Sequence, residues 1–495
     1  MGITADNADQ RPAAWLAGLV AAAVTALIYA LTLATDVGYH DAAELALRAA
    51  QLGATHSPGA PLHTLLGHFL IAFGLQPALA TAWLSLLTGA LTAGILGALL
   101  IRLGIEFWLA TTGGVVFALI AVVWTNAVTT ELYTLSLLFV GLSLFAVFAW
   151  SHSGARSAWA AVFITYWLAL AAHFANIILL PAYLILVWSA VNARLRSVCL
   201  FLLFTGLAIA IIAGANALLA ARVLPFGPFI PDSLAGIFSY MSGAEHDPLG
   251  QQGTKGIFDR LGFSLNRISE HVSLFARNYF YIGLFFILAG AVQLIRRHLP
   301  SGLFAALVFA GSWSYFTLFG PGDYFLMVGP TYMVASLWFI VGLQSLMSLW
   351  LHIRNMRWLP LVPGVMAVVM LGYQFEPRRA SAQLTAPRDY AERAFAALPA
   401  GSLAVVRWNE FTVMRYLQFI EGRRPDINLV IPARTPRHYR HGIVPDYLEL
   451  VKNSICDKPV YTNKAAPELL LEFATTQLEG EDLWLHLQPA DLDAC

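Results

Sequence analysis

The chain has 495 residues, 58% of them hydrophobic and only 12% charged. Soluble globular proteins carry roughly 45–50% apolar and about 25% charged residues, so this composition excludes a disordered chain, a nucleic-acid binder and an ordinary cytosolic enzyme. Twenty-nine Lys and Arg balance 29 Asp and Glu, which leaves no net field to favour an ionic partner. Length alone suggests roughly three domains, but apolar runs of about 20 residues point to a polytopic α-helical membrane protein.

In chain order, Ala13–Ala34 reads as a retained spanning helix, because no strongly basic n-region precedes it and no small-residue cleavage pattern follows. Further spanning candidates are 78–101, 107–126, 130–150, 158–172, 175–190, 197–221, 279–295, 302–319, 324–350 and 358–373, about 11 in all. The stretch 158–190 is one apolar run interrupted only by His173, Asn176 and Pro181. With a cytoplasmic N-terminus, every short loop on that side carries arginine: Arg102, Arg156, Arg194 with Arg196, Arg296 with Arg297, and Arg354 with Arg357. The opposite short loops hold Asp36, Asp41, Glu44, Glu131 and Asp323, with Arg48 as their lone cation. This positive-inside asymmetry predicts the N-terminus inside, the C-terminus outside and an odd helix count.

Two external loops interrupt the ladder. Residues 35–77 contain helical stretches at 41–52 and 62–74, and residues 222–278 form a long loop rich first in Gly and Pro, then in charge. The expected division is a transmembrane domain over 1–373 and a soluble extracytoplasmic α/β domain over 374–495. In the latter, Ser402–Trp408 and Ile427–Ile431 read as strands flanking a helix at Glu410–Glu421, which implies a parallel pair. Pro445–Ser454 is a further helix, and Pro459–Thr462 and Leu483–Leu487 are later strands. The cysteines Cys199, Cys456 and Cys495 fit neither a disulfide framework nor a zinc site, although Cys456 and Cys495 would share an oxidising compartment, where a pair is open to them.

The chemistry concentrates on the outer face. Asp41 and Glu44 lie three apart, so a helix places both carboxylates on one side, with Leu45, Ala49 and Leu52 making an apolar side able to lie against the membrane. A carboxylate there can take a proton from an acceptor hydroxyl while a lipid-borne donor reaches it from the bilayer. The same spacing also fits a capping box, and His56-Ser-Pro-Gly-Ala-Pro-Leu62 fits a simple turn. Glu131 opens a helix after a short turn, where an anion is favoured by the helix dipole or faces the same cavity as Asp41. His173 interrupts an apolar run, a position that marks either a wet cavity or a neutral histidine satisfied by a neighbouring helix. Asp323 and Tyr324 sit in a short external turn and either cap a helix or line the pocket; Lys255, Arg260, Arg267 and Arg277 are candidate phosphate partners. No His/Cys/Asp arrangement has metal-ligand spacing, and no Ser-His-Asp nucleophile context is present.

Asp41-Ala-Ala-Glu44-Leu45 followed by His56-Ser-Pro-Gly-Ala-Pro-Leu62 resembles the Asp-x-Gly-Glu-Leu … His-Pro-Pro-Gly-x-Pro-Leu signature of a membrane family in the GT-C glycosyltransferase superfamily, whose eukaryotic branch is a protein O-mannosyltransferase. The segments Trp124–Tyr133, Ala172–Pro181 and Tyr416–Asp426 agree in order. Ala43 and Ser57 replace a Gly and a Pro of that pattern, and Phe174 stands where many relatives have a second His. The resemblance implies a GT-C-type bundle with its site on the extracytoplasmic face, taking sugar from a polyprenyl-phosphate-linked donor in an inverting displacement. It implies Asp41 as base with Glu44 as helper, His56 near the donor phosphate, and Glu131 and His173 lining the same cavity. No cofactor is required on this reading and a divalent cation is optional. The expected partners are the lipid-linked donor, a protein, glycan or lipid acceptor, and membrane lipids, at a bacterial inner membrane. The competing readings are a transporter or flippase of lipid-linked sugars and a non-catalytic envelope assembly protein; the absence of hydropathy repeats and the clustering of acids at one surface argue against transport.

Overall fold

A computed structural model describes residues 10–190, 194–226, 231, 233–243, 257–318, 326–351, 361–432, 437–439, 442–444, 447–463, 469–478 and 484–489. The first helices are α1 (Gln10–Ala30), α2 (Asp41–Gln51), α3 (Pro61–Ala72), α4 (Pro77–Arg102), α5 (Phe107–Ala118), α6 (Ala121–Val128), α7 (Tyr133–Ser153) and α8 (Arg156–Ala172). A 3-10 turn, Phe174–Leu179, leads into α9 (Leu180–Ala190), α10 (Arg194–Arg222), α11 (Leu234–Met241), α12 (Ile257–Asn278) and α13 (Gly283–Arg297). Then follow α14 (Leu299–Leu318), α15 (Gly329–Leu351), α16 (Val362–Ala382), α17 (Ala386–Ala397), α18 (Trp408–Glu421), α19 (Tyr447–Ser454) and α20 (Leu469–Glu472).

Among the described residues, five helices are long and apolar enough to cross a membrane: Arg11–Ala30, Pro77–Arg102, Tyr133–Ser151, Leu195–Arg222 and Gly329–Ser348. Two bent pairs raise this to seven if each is one span: α5 with α6, bent by 69°, and the end of α12 with α13, bent by 93°. The segments 158–172, 175–190, 302–319 and 358–373 are largely helical but are not among these seven, so the expected eleven is not reached on this criterion. Of these, Arg156–Ala172 and Phe174–Ser189 are apolar but too short to qualify, and two of the apolar runs are broken locally. The 107–126 run, continuous in hydropathy, stops at Leu119–Ile120, where the Leu119 and Ala121 carbonyls accept hydrogen bonds from Gln374 (2.9 Å) and Arg378 (3.0 Å). The 158–190 run breaks at His173, whose extended backbone (φ −156°) ends α8.

Close helix crossings rest on small residues, as membrane packing favours. A Cβ on Gly18 of α1 would sit 2.8 Å from the Gly94 carbonyl of α4, and one on Gly94 would sit 2.7 Å from that of Gly18. At the α13–α15 crossing the approach is closer: a Cβ on Gly290 would lie 1.8 Å from the Trp338 carbonyl oxygen.

The residues after α16 build a five-stranded sheet of order β2-β1-β5-β7-β6, with β1 (Leu403–Val405), β2 (Asn428–Val430), β5 (Val460–Thr462), β6 (Ala474–Gln477) and β7 (Leu485–Gln488); β3 (Arg437–Tyr439) and β4 (Gly442–Val444) form a separate hairpin. β1 pairs in parallel with β2, as the strand–helix–strand pattern predicts, and also with β5. The strand β6, the hairpin and helix α17 were not expected from the sequence. The compositional change near Gly372 falls inside α16, which runs on to Ala382.

The sheet unit does not stand apart. Val37, Ala43, Ala46, Leu47 and Ala78 share one buried cluster with Phe411, Met414 and Leu417 of α18. Helix α2 is thus enclosed by protein: Leu45 packs on Ala60 and Leu132, and Ala49 lies against Gly67 of α3. This corrects the expectation of a lipid-facing side at Leu45 and Ala49, both fully buried. The unpartnered apolar face that hydropathy suggests is covered by residues distant in sequence.

Candidate active site

The segment 36–41 leads from the first helix into α2 and is tied at four of its six residues to the C-terminal unit. Arg388 donates from Nε and Nη2 to the two Asp36 carboxylate oxygens, each at 2.7 Å, and Tyr39 donates its hydroxyl to the Ala386 carbonyl at 3.1 Å. One turn apart on α18, Thr412 donates to the His40 carbonyl (2.9 Å) and Trp408 Nε1 donates to Asp41 Oδ1 (3.1 Å). Burial works against ionisation of Asp36, but the hydrogen bonds from Arg388 and the Val37 N–H hold its carboxyl below the usual range. His40, at φ 59°, occupies a region that costs a non-glycine residue ~1–3 kcal/mol and is held there by these contacts.

Helix α2 starts directly at Asp41, with His40 as N-cap and no side-chain cap hydrogen bond. The capping-box reading therefore does not describe this motif. Glu44, fully buried, instead accepts the His56 backbone N–H at 2.7 Å through one oxygen and contacts His56 Nδ1 through the other. His56 Nε2 faces Asp41 Oδ2 at 3.6 Å. The side chain of Asp41 is 23% exposed and that of His56 13%, so the site opens at these two rather than at Glu44. Their ligating atoms and one from Glu44 lie within 4.8 Å of one another, a donor set that fits a divalent cation and corrects the expectation of no metal-ligand arrangement, because the turn at 52–56 closes a spacing that the sequence leaves open.

The His56 turn is built against the long loop. Tyr240 of α11 donates its hydroxyl to the Thr55 carbonyl (2.7 Å), and Ser57 Oγ donates to the Tyr240 carbonyl. Gly59 has φ 83°, and a Cβ there would sit 2.7 Å from the Tyr240 hydroxyl, so the turn requires glycine on both counts. Arg48, one turn after Glu44, is buried with its guanidinium 3.7 Å over the Phe226 ring. Burial pushes Arg48 down to about 10 while the Glu44 charge pulls it up, which leaves it cationic at neutral pH.

Glu131 is placed by a ladder of hydroxyls along α4. Thr81, Ser85 and Thr88 share a face and bond Thr130 Oγ1 (2.9 Å), the Glu131 backbone (2.8 and 3.0 Å) and Thr134 Oγ1 (2.9 Å) in turn. Beside Glu131, Leu132 packs on Leu45 and Ala60, so this turn abuts α2, although Glu131 is outside the Asp41–Glu44–His56 group. Tyr133 connects two regions: it packs against that same cluster, and its ring meets His173 edge-on at 5.6 Å. His173 is buried and lines a separate cleft with Asn126, Tyr133, Ser136, Asn176 and Met327. Asn176 fixes the break after α8 by donating to Ser136 Oγ (2.7 Å) and to the Ala169 and His173 carbonyls.

Asp41, Glu44 and His56 therefore come together, while Glu131 and His173 are neighbours linked through Leu132 and Tyr133. Asp323, Tyr324, Lys255 and Cys495 lie outside the described residues. Of the other basic candidates, Arg267 is buried on α12 and Arg277 is exposed. Sequence reasoning missed Trp408, Tyr240 and Arg48 as parts of the site. Arg48 carried a signal as the lone cation among the outer short loops; the other two carried none.

Residues 41–197 match the family model described as the protein O-mannosyl-transferase TMEM260 N-terminal domain, so the resemblance drawn from the sequence holds over that segment. No curated protein matches the chain. Its structure is similar to a crystal structure of ArnT from Cupriavidus metallidurans bound to undecaprenyl phosphate, with TM-score 0.58 and 14% identity over 96% of this chain and 98% of that one. The apo state of the same protein aligns with TM-score 0.59 and 12% identity, covering 95% of this chain and 97% of that one. At such identities the likeness is one of fold: the chain shares the architecture of ArnT, and its several long apolar helices make it a multi-pass membrane protein.

Proposed function

We propose that the chain is a membrane glycosyltransferase that moves a sugar from a polyprenyl-phosphate carrier to a hydroxyl acceptor outside the cytoplasm. The observation that carries this reading is the Asp41–Glu44–His56 group, which stands at the head of the segment matched to an O-mannosyl-transferase domain within an ArnT-like fold. A lipid-phosphate donor is supported by the likeness to ArnT, whose structure holds undecaprenyl phosphate. An outward-facing site is supported by the arginine asymmetry and by Cys456, which is disulfide-bonded, as befits an oxidising compartment.

In the proposed reaction the acceptor oxygen attacks the anomeric carbon, its proton passes to Asp41, and the lipid phosphate leaves with the bonding pair, inverting the centre. Asp41 is the carboxylate able to reach substrate; Glu44, buried, holds His56 by its backbone and ring. His56 is assigned to the donor phosphate, and Glu131, His173, Asp323 and Tyr324 are assigned to the substrate cavity. Such a site needs placement of acceptor and donor, one base, and a means of accepting the leaving charge. No cofactor is required on this reading, and a divalent cation held by the same three side chains would help to neutralise the leaving phosphate.

The test is incubation of the purified protein with polyprenyl-phosphate sugars and candidate protein, glycan and lipid acceptors, read by mass spectrometry, with and without a chelator. A mass gain of one sugar on an acceptor, with release of lipid phosphate, supports the proposal. Movement of the lipid-linked sugar across a vesicle without covalent product would favour transport instead. Loss of product with chelator, restored by divalent cation, would make the metal obligatory.

A further inference from the structure

We infer that Trp408 is a positioning residue for Asp41, so that the C-terminal unit completes the site that α2 opens. This rests on the proposed role of Asp41 as base and adds to it a second part of the molecule, outside the segment matched to the transferase domain.

Asp41 occupies the first turn of α2, and a partly exposed side chain there has several staggered rotamers open to it unless a partner holds one of them. Oδ1 accepts the Trp408 indole N–H at 3.1 Å, and Oδ2 turns toward His56 Nε2 at 3.6 Å. The indole is itself held. Its ring meets His56 edge-on at 5.5 Å, meets Phe226 edge-on at 6.4 Å and stacks on Phe411 at 6.4 Å. An indole N–H is a donor only, so it neither takes the proton that a base accepts nor competes for it. Four residues later on the same helix, Thr412 fixes the His40 carbonyl, which sets the backbone on which Asp41 stands. One helical turn of α18 therefore determines both the backbone and the carboxylate orientation of a residue 367 positions away.

A misplacement of about 1 Å can cost of order a hundredfold in rate. In full-length protein, Trp408→Phe keeps a ring against His56 and Phe411 but removes the donor. The expected result is a fall in kcat of roughly 10- to 100-fold with the donor KM held within about twofold, because binding is untouched and the reactive geometry is lost. The isosteric tryptophan analogue with sulfur in place of the indole nitrogen, incorporated at position 408, is expected to show the same loss, which separates the N–H from ring shape. The second readout needs no turnover: the Trp408 indole N–H resonance is expected to shift in Asp41→Asn. Wild-type kcat in Trp408→Phe, or in the analogue, would overturn the positioning role while leaving the transferase reading intact. An indole resonance that ignores Asp41→Asn would overturn the contact itself. A wild-type protein that transfers no sugar from any donor would instead overturn the functional reading, and with it the base that Trp408 positions.

Discussion

Replacing Glu44 by alanine isolates what this buried acid does. Its side chain is fully enclosed, and it accepts the His56 N–H at 2.7 Å while its other oxygen contacts the His56 ring. Hydrogen bonds to charged groups contribute about 1.5–3 kcal/mol each, and removing one partner of a buried pair costs ~3–5 kcal/mol. The His56 amide would also be left without its acceptor in a turn otherwise held by Tyr240 and Ser57. We therefore expect Glu44→Ala to weaken the 55–60 turn by about 2–4 kcal/mol, which raises exchange of the His56 amide by roughly 30- to 1000-fold. Glu44→Gln retains the carbonyl oxygen that accepts this amide, so its His56 exchange should rise by about tenfold at most. Amide hydrogen exchange of the detergent-purified variants measures both. Unchanged protection of His56 in Glu44→Ala would refute the reasoning, since it would mean that the buried acid does not hold the turn.

Three further predictions concern docking of the C-terminal unit and helix packing. Arg388→Gln removes the bidentate ion pairs to Asp36 and Glu421, which are partly exposed, so the loss is about 1–2 kcal/mol and appears as faster proteolysis between α16 and α17. Because the Asp36 carboxyl is depressed in the folded protein, its stabilisation is complete above the ordinary carboxylate range and fades as pH falls through the folded value; docking measured by proteolysis should loosen at acidic pH in wild type and respond less in Arg388→Gln. Gly290→Ala would place a Cβ 1.8 Å from the Trp338 carbonyl and should cost about 3 kcal/mol or more in thermal stability, whereas Gly364→Ala, with nothing within 4 Å, should be neutral or slightly stabilising.

The parts of this molecule legible in sequence are those set by local chemistry. Helix α2 was expected at 41–52 and spans Asp41–Gln51; α3 was expected at 62–74 and spans Pro61–Ala72. The pairing of β1 with β2 followed from a strand, an apolar-sided helix and a strand. The joint placing of Asp41, Glu44 and His56 was implied by the resemblance and not by spacing; they meet because Glu44 and His56 are only 12 positions apart and joined by a short turn. What was not legible depends on long-range contacts. Hydropathy could not show that α5 and α6 bend by 69°, because the free carbonyls at the break are satisfied from α16. Nor could it show that Leu45 and Ala49 face protein, since the residues that bury α2 come from α3, the turn at Leu132 and α18. Trp408 gave no signal, as a tryptophan opening a helix is more often part of a core than a hydrogen-bond donor to an acid.

The role of Asp41 as base is tested most directly by sugar transfer in Asp41→Asn beside wild type, with donor and acceptor from the panel that supports turnover. The amide keeps the size of the side chain and an oxygen able to accept the Trp408 N–H, but it cannot take the acceptor's proton. The expected result is normal insertion and folding with no glycoside above background. Transfer at the wild-type rate would contradict it and remove Asp41 as the base.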